Sequence, residues 1–306
     1  MLRFSSNWYA KIMYNYNIRK RKLVFPGPFD CAISFSTDFS DLSMVVNANA
    51  RLRIAFVHAD ATQNLRAAKL NNKLFKNIDR IFCVSESSKA SFLKVHPSCA
   101  NKMGIFYNIL DRVDILEKAD EEIGLSTLST QKNIICTVGR LSFEKGQHLI
   151  PKIAEKLVGI GKDFHWIIVG DGSLRSEIEA EINKRDLSKF ITLVGGKSNP
   201  YPYIKNCNLY VQTSFTEAYC ITTAEAKVLG KPIVTTNIPC MYEQFTSGEN
   251  GLIVDATPEA LFEGIRTLLD NPSLVEKFSK NLSEEICDNS SELNKLYSLI
   301  EGVDYV

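Results

Sequence analysis

Short apolar runs rich in Val, Ile and aromatic residues alternate with longer amphipathic stretches along most of the chain, and this alternation constrains the fold more than any other feature. In the second half the runs fall at 134–138, 166–169, 191–194, 209–212, 233–236 and 252–254. Runs this short, apolar throughout and bounded by Gly, Asp and Asn, fit strands buried on both faces. Between them lie helical patterns. Residues 146–158 place Leu149, Ile150, Ile153, Ala154 and Leu157 on one face. Residues 173–183 start at Ser173, a helix-capping residue type. Residues 224–229 lead into Gly230 and Pro232, a helix stop. Strand–helix alternation with short connections predicts an α/β fold built on a parallel, doubly wound sheet. Ligands on such sheets bind at the carboxyl ends of the strands.

The first half has the same grammar with fewer units: strands expected at 31–35, 53–57, 80–84 and 103–106, and helices near 62–76 and 86–95. Residues 115–132 are polar and lack a strand pattern. The expected organisation is therefore 1–128 as a first domain, 129–285 as a second, and a last helical segment, 286–306, returning toward the first. Helices are expected at 258–270, 272–284 and 289–301.

Composition excludes several classes. A net charge of +1 points to no nucleic-acid partner. The eight cysteines include no Cys-x-x-Cys pair and several sit in apolar runs, so they read as buried hydrophobes of a reducing compartment, not disulfides or metal ligands. No run approaches the ~18 residues of a membrane span, and the N-terminus lacks a signal-peptide core. These features predict a cytoplasmic location. The run Arg19, Lys20, Arg21 and Lys22 reads either as a solvated helix end or as a contact with an anionic membrane surface.

Four stretches carry chemistry. In the segment from Thr213 to Val234, Glu217 and Glu225 are eight residues apart, one in the loop after a strand and one in the following helix. The amides of residues 219–222 would form that helix's free N-terminus, a natural phosphate site. From spacing alone, an ordinary loop glutamate and a solvated helix glutamate are the slightly favoured reading, because glutamates are common. Val138-Gly139-Arg140 runs on to Lys145-Gly146 after a strand; cations at a helix start oppose its dipole, and a bound diphosphate would explain them. Gly170-Asp171-Gly172 is a turn at the same edge. Gly195-Gly196-Lys197 precedes a Pro-rich turn suited to lie against a flat base.

In this order the stretches resemble the family-4 retaining glycosyltransferases of the GT-B fold, of the bacterial capsular and lipopolysaccharide type. The paired glutamates followed by Glu225-Ala226, Gly230 and Pro232-Ile233-Val234, together with Gly139-Arg140-Leu141 and Lys145-Gly146, carry the resemblance, joined by Ile54 to His58, Ile81 to Ser85 and Phe106 to Asp111. It covers about residues 30–285. It implies two Rossmann-like domains and transfer of a hexose or N-acetylhexosamine, with UDP the favoured nucleotide, to a glycan or lipid-linked acceptor. Arg140 and Lys145 would hold the diphosphate. Glu217 would touch the donor sugar and Glu225 the ribose, and amides near Tyr219, Cys220 and Ile221 would meet phosphates. Gly196 and Lys197 would border the base, and His58 would line the sugar side. No Asp-x-Asp pair appears, so neither metal nor other cofactor is expected. Ala218 stands where the family usually has Gly. About four strands fit before the boundary where the family has six or seven, so the first domain is expected to be incomplete. A nucleotide-sugar-binding chain without turnover, or one subunit of a two-chain transferase, is the alternative.

Overall fold

Parallel strands order both halves of the chain, and the computed structural model describes residues 27–61, 71–122, 133–285 and 289–302. The basic run at 19–22, most of the helical stretch expected from 62, and Cys287 lie outside the described residues. Two compact units emerge: Met1–Asn108 with Asn289–Val306, and Ile109–Asp288.

The first unit carries β1 (Phe29–Ser34), α1 (Phe39–Asn47), β2 (Ala50–Val57), α2 (Asn72–Phe75), β3 (Arg80–Cys83), α3 (Glu86–Val95) and β4 (Met103–Ile105). Its sheet runs in simple order β1-β2-β3-β4, all parallel. Right-handed crossovers in a sequentially ordered sheet all fall on one face. Leu42, Phe75 and Phe92 accordingly pack with Ala55, Val57, Ile81 and Cys83. The alternate residues Ile54, Phe56 and Phe82 point to the other face, where the last helix lies.

The second unit opens with α4 (Arg112–Ala119) and continues through β5 (Ile134–Val138), α5 (Ile150–Gly159), β6 (His165–Val169), α6 (Arg175–Lys184), β7 (Ile191–Gly195), α7 (Tyr201–Lys205), β8 (Leu209–Gln212), α8 (Ile221–Val228), β9 (Ile233–Thr236), β10 (Leu252–Val254), α9 (Pro258–Asp270) and α10 (Pro272–Glu284). The six strands are parallel, in the order β10-β9-β8-β5-β6-β7. Ile135, Trp166, Ile168, Leu209 and Val211 meet α5, α6 and α9 on one face. Cys136, Val138, Ile167, Val169 and Tyr210 meet Ile204, Ala226 and Met241 on the other. Both faces are covered, which is why the strands read as unbroken apolar runs. Finally α11 (Glu292–Glu301) belongs to the first unit, where Leu293, Leu296 and Leu299 cover Ile54, Phe56, Phe82 and Phe106. Among the described residues no helix is long and apolar enough to cross a membrane.

Several expectations need correction. The unit boundary falls at 108, about twenty residues before the expected 128, because α4 packs on α7 and so joins the second unit. The helix expected from 146 starts at Ile150. Before it, two 3-10 turns, Phe143–Lys145 and Gln147–Leu149, flank the left-handed Gly146. Ser173 caps nothing, since α6 starts at Arg175 without a side-chain cap.

Candidate active site

The strand order reverses direction at β5, which has the later β6 on one side and β8 on the other. A crevice opens at such a switch point, beyond the carboxyl ends of the two strands. The loops leaving β5 and β8 meet there backbone to backbone. Phe215 N donates to Glu144 O at 2.9 Å, and Thr213 Oγ1 to Lys145 O at 2.8 Å. Gly146 makes the approach feasible: its φ is +71°, and a Cβ there would stand 2.0 Å from Thr213 O. On the other flank, Leu141 N donates to Asp171 O at 2.9 Å, so the Gly170–Gly172 turn braces the same loop.

These loops bring Lys145 and Glu217 together. Lys145 Nζ donates to Glu217 Oε1 at 2.6 Å, with the glutamate side chain only 9% exposed. Ser214 Oγ donates to the same oxygen at 2.7 Å. Arg140 projects outward from the β5 loop, 71% exposed, and meets only Glu144 at 3.7 Å among the described residues. Gln147, fully buried beside Gly139, has neither amide atom bonded to a described residue.

The helix α8 starts just after Glu217. Its first turn holds no acidic residue, and no side chain caps it, so its leading amides keep their partial positive charge. Cys220, the residue before the helix, lies at φ +67°. Gln244 Nε2 donates to Tyr219 O and Gln244 Oε1 accepts from Thr223 Oγ1 at 3.0 Å, which holds this turn. Burial pushes the Cys220 thiol up to about 11, with Glu217 adding to the effect. Ala218, which stands where the family usually has Gly, is not at positive φ; the left-handed residue of this turn is Cys220.

One turn into α8, Glu225 is half-buried and accepts a hydrogen bond from Tyr201 Oη at 3.1 Å. Burial drives its carboxyl up to about 7, opposed in part by that hydroxyl. Tyr201 in turn is pushed up to about 12 by its own burial and the neighbouring carboxylate. Gly196 and Lys197 are exposed after β7, whose end is tied to the β6 turn by Gly170 N donating to Gly195 O at 2.9 Å. Ile221 is exposed at the start of α8. His58 follows β2 in the first unit, its ring 6.1 Å from that of Phe56, and desolvation holds its pKa below the usual imidazole value.

The sequence reading missed Tyr201, Gln212 and Ser214. Tyr201 lies in a stretch expected to be a Pro-rich loop but folded as α7. Gln212 and Ser214 lie at the end of an apolar run. The polar alternation Tyr210-x-Gln212-x-Ser214 was the available signal, since residues two apart share one face of a strand.

The sequence model of the family described as Glycosyl transferases group 1 matches residues 119–285. A transferase of Campylobacter jejuni, N-acetylgalactosamine-N,N'-diacetylbacillosaminyl-diphospho-undecaprenol 4-alpha-N-acetylgalactosaminyltransferase, is 28% identical over 66% of this chain and 53% of its own length. The alpha-D-kanosaminyltransferase of Streptomyces kanamyceticus is 30% identical over 48% of this chain and 39% of its own. The chain thus spans about half the length of the curated relatives it matches. Among solved structures, Anabaena HepE in complex with UDP and glucose superposes with a TM-score of 0.74 at 17% identity, over 83% of this chain and 72% of that one. A glycosyltransferase from Rickettsia africae does so with a TM-score of 0.72 at 17% identity, over 99% and 83%. The two parallel α/β units are those of the GT-B fold. With more than half of its residues matched by the family model, the chain belongs to the glycosyl transferases group 1 family.

Proposed function

We propose that the chain moves a hexose or N-acetylhexosamine from a nucleotide diphosphate sugar, UDP being the favoured nucleotide, to a glycan or lipid-linked acceptor in cell-surface polysaccharide assembly, with retention at the anomeric carbon. The observation that carries this reading is the Lys145–Glu217 pair, held at the switch point where the uncapped α8 begins. A diphosphate there would meet Lys145, the outward guanidinium of Arg140 and the leading amides of α8. Glu217 would face the sugar and Glu225 the ribose. The names of relatives support the sugar class, an N-acetylgalactosaminyltransferase in one case, and HepE was solved with UDP and glucose.

In the proposed reaction the bond between the anomeric carbon and the β-phosphate oxygen breaks, and its electron pair stays on the departing diphosphate. The acceptor oxygen attacks from the same face, and its proton passes to the departing phosphate oxygen. Arg140 and Lys145 sit where negative charge develops, which is where fixed cations lower a barrier most. The reading places the nucleotide sugar as substrate and asks for no metal. It places the chain in the cytoplasm, with Arg19 to Lys22 against the anionic inner leaflet of the membrane.

A second reading, in which the chain binds a nucleotide sugar but turns over only with another subunit, has one observation in its favour. At the edge of the described sheet of the first unit, Phe29, Ile33, Phe35, Met44 and Val45 line a cavity of about 520 Å³ beside the side of β1 that no described strand pairs. An open apolar strand edge is ordinarily covered.

The test is calorimetric titration with UDP, UDP-glucose, UDP-galactose, UDP-N-acetylglucosamine and GDP-mannose, alongside Arg140→Ala. Saturable binding of one nucleotide set, weakened about tenfold or more by the substitution, is the expected result. No binding by a folded chain would overturn the donor-site reading. Binding without sugar transfer to any acceptor would move the two-chain reading ahead.

A further inference from the structure

Beneath the Lys145–Glu217 pair runs a file of polar side chains that a parallel strand has no need of. Tyr210, Gln212 and Ser214, at alternate positions along β8 and its exit, are all fully buried. The hydrogen bonds between them have a fixed direction. Tyr210 Oη donates to Gln212 Oε1 at 3.1 Å, and Thr222 Oγ1 donates to the same oxygen at 3.4 Å. With its carbonyl oxygen so engaged, the Gln212 carboxamide turns its nitrogen to Ser214 Oγ, 2.7 Å away. The serine oxygen accepts there, and its single proton goes on to Glu217 Oε1 at 2.7 Å. Lys145 Nζ donates to that same oxygen at 2.6 Å. Oε1 therefore holds two donors, one of them charged, while among the described residues none is bonded to Oε2.

We propose that Gln212 and Ser214 are positioning residues: they lock the Glu217 carboxylate by one oxygen so that Oε2 alone is presented to the donor sugar, where it takes a hydrogen bond from a sugar hydroxyl or amide. This rests on the reading of Glu217 as the sugar-side carboxylate. A carboxylate held only by Lys145 could rotate and lead with either oxygen, so part of its interaction with the sugar would go into ordering it. The buried file does that ordering before the donor arrives, and its full satisfaction keeps it rigid. The file touches the sugar-facing group and none of the groups assigned to the nucleotide base or ribose. It meets the diphosphate side only through Thr222 and through Lys145 on the shared Oε1, both left in place by the substitutions below, so its influence is directed at the sugar.

That direction gives the test. Ser214→Ala and Gln212→Met are titrated with UDP and UDP-N-acetylglucosamine, or with whichever diphosphate and sugar pair of the panel the unaltered chain binds. Circular dichroism and thermal melting check that each variant is folded. Gln212→Met removes the orientation of the serine hydroxyl without touching Glu217, and it serves if Ser214→Ala does not fold. The expected result is that the nucleotide sugar loses about tenfold in affinity while the free diphosphate changes less than about twofold. Equal loss of both ligands would mean a merely structural role, and unchanged sugar affinity would mean the carboxylate orders itself; either overturns the proposal. Failure of the unaltered chain to bind any of the panel is a different outcome: it removes the donor-site reading and this inference with it.

Discussion

Burial pushes the Glu225 carboxyl up to about 7 against the hydroxyl of Tyr201 that donates to it. For an acid whose folded pKa is raised, the folded state holds its proton more tightly than the unfolded chain. Its contribution to stability is fully present below the unfolded pKa of about 4.3 and is lost as pH rises through about 7. Glu225→Gln should therefore match the unaltered chain in thermal midpoint near pH 4.5 and exceed it at pH 8; a constant offset across that range would contradict the linkage. The ionised carboxylate is also the better acceptor for ribose hydroxyls. Nucleotide affinity should rise several-fold from pH 6 to pH 8 in the unaltered chain and stay flat in Glu225→Gln, as followed by calorimetry. Backbone strain sets a second expectation. Cys220 sits at φ +67°, where a β-branched side chain clashes with its own backbone. Cys220→Val should cost about 2 kcal/mol or more in denaturant unfolding. Lys145, Glu217 and Glu225 were singled out by the family resemblance, since spacing alone leaves the two glutamates an ordinary loop and helix pair. The strain at Cys220 was hidden, since φ follows from how Gln244 and α8 hold the turn and not from the residue type. Gln212 and Ser214 were hidden for a related reason: a buried polar residue at a strand end looks like the start of a loop.

At the scale of elements, strands were the more legible. β5, β8, β9 and β10 fall at the expected residues because both faces of this sheet are covered and every position must be apolar or internally bonded. The helices α9 and α10 were equally clear, each opening with Pro after a capping-type residue, Thr257 and Asn271. The failures cluster where one loop must meet another. The helix expected over 146–158 gives way at its start to 3-10 winding, in two turns over 143–149, because Gly146 has to turn left-handed to let the β5 and β8 loops touch. Gly146→Ala tests this. Its Cβ would stand 2.0 Å from Thr213 O and the backbone would keep a strained φ, so the two loops must part. The expected cost is roughly 2–4 kcal/mol in stability, together with loss of nucleotide binding, because Lys145 and Glu217 sit on opposite sides of that contact. A variant that loses stability but binds normally would show that the loops can part without disturbing the pair.

At the scale of the whole molecule, the two units differ in how their sheets are covered, and this makes their stabilities separable. The six-stranded sheet reverses order and so places its own crossovers on both faces. The four-stranded sheet does not reverse, and its second face depends on α11, a segment nearly two hundred residues away in sequence. Besides its three leucines, α11 is anchored through Glu292, which accepts from Tyr107 N at 3.0 Å and pairs with Lys295 at 2.6 Å; Asn289 Nδ2 donates to Asn108 O at 2.7 Å. The sequence shows an amphipathic helix at this place but not its target, because a hydrophobic stripe specifies burial without naming a partner. Replacing Leu293, Leu296 and Leu299 together by Ala should remove roughly 1–2 kcal/mol per site at half burial. Hydrogen exchange resolved by peptide should then quicken in β2 and β3 and leave β5, β6 and β8 as slow as before. Faster exchange throughout both sheets would mean that the units unfold as one. Unchanged exchange in β2 and β3 would mean that the first sheet is held by its α1–α3 face alone. The localised result would also predict that the variant keeps nucleotide affinity, since the groups assigned to the diphosphate and ribose all lie in the second unit.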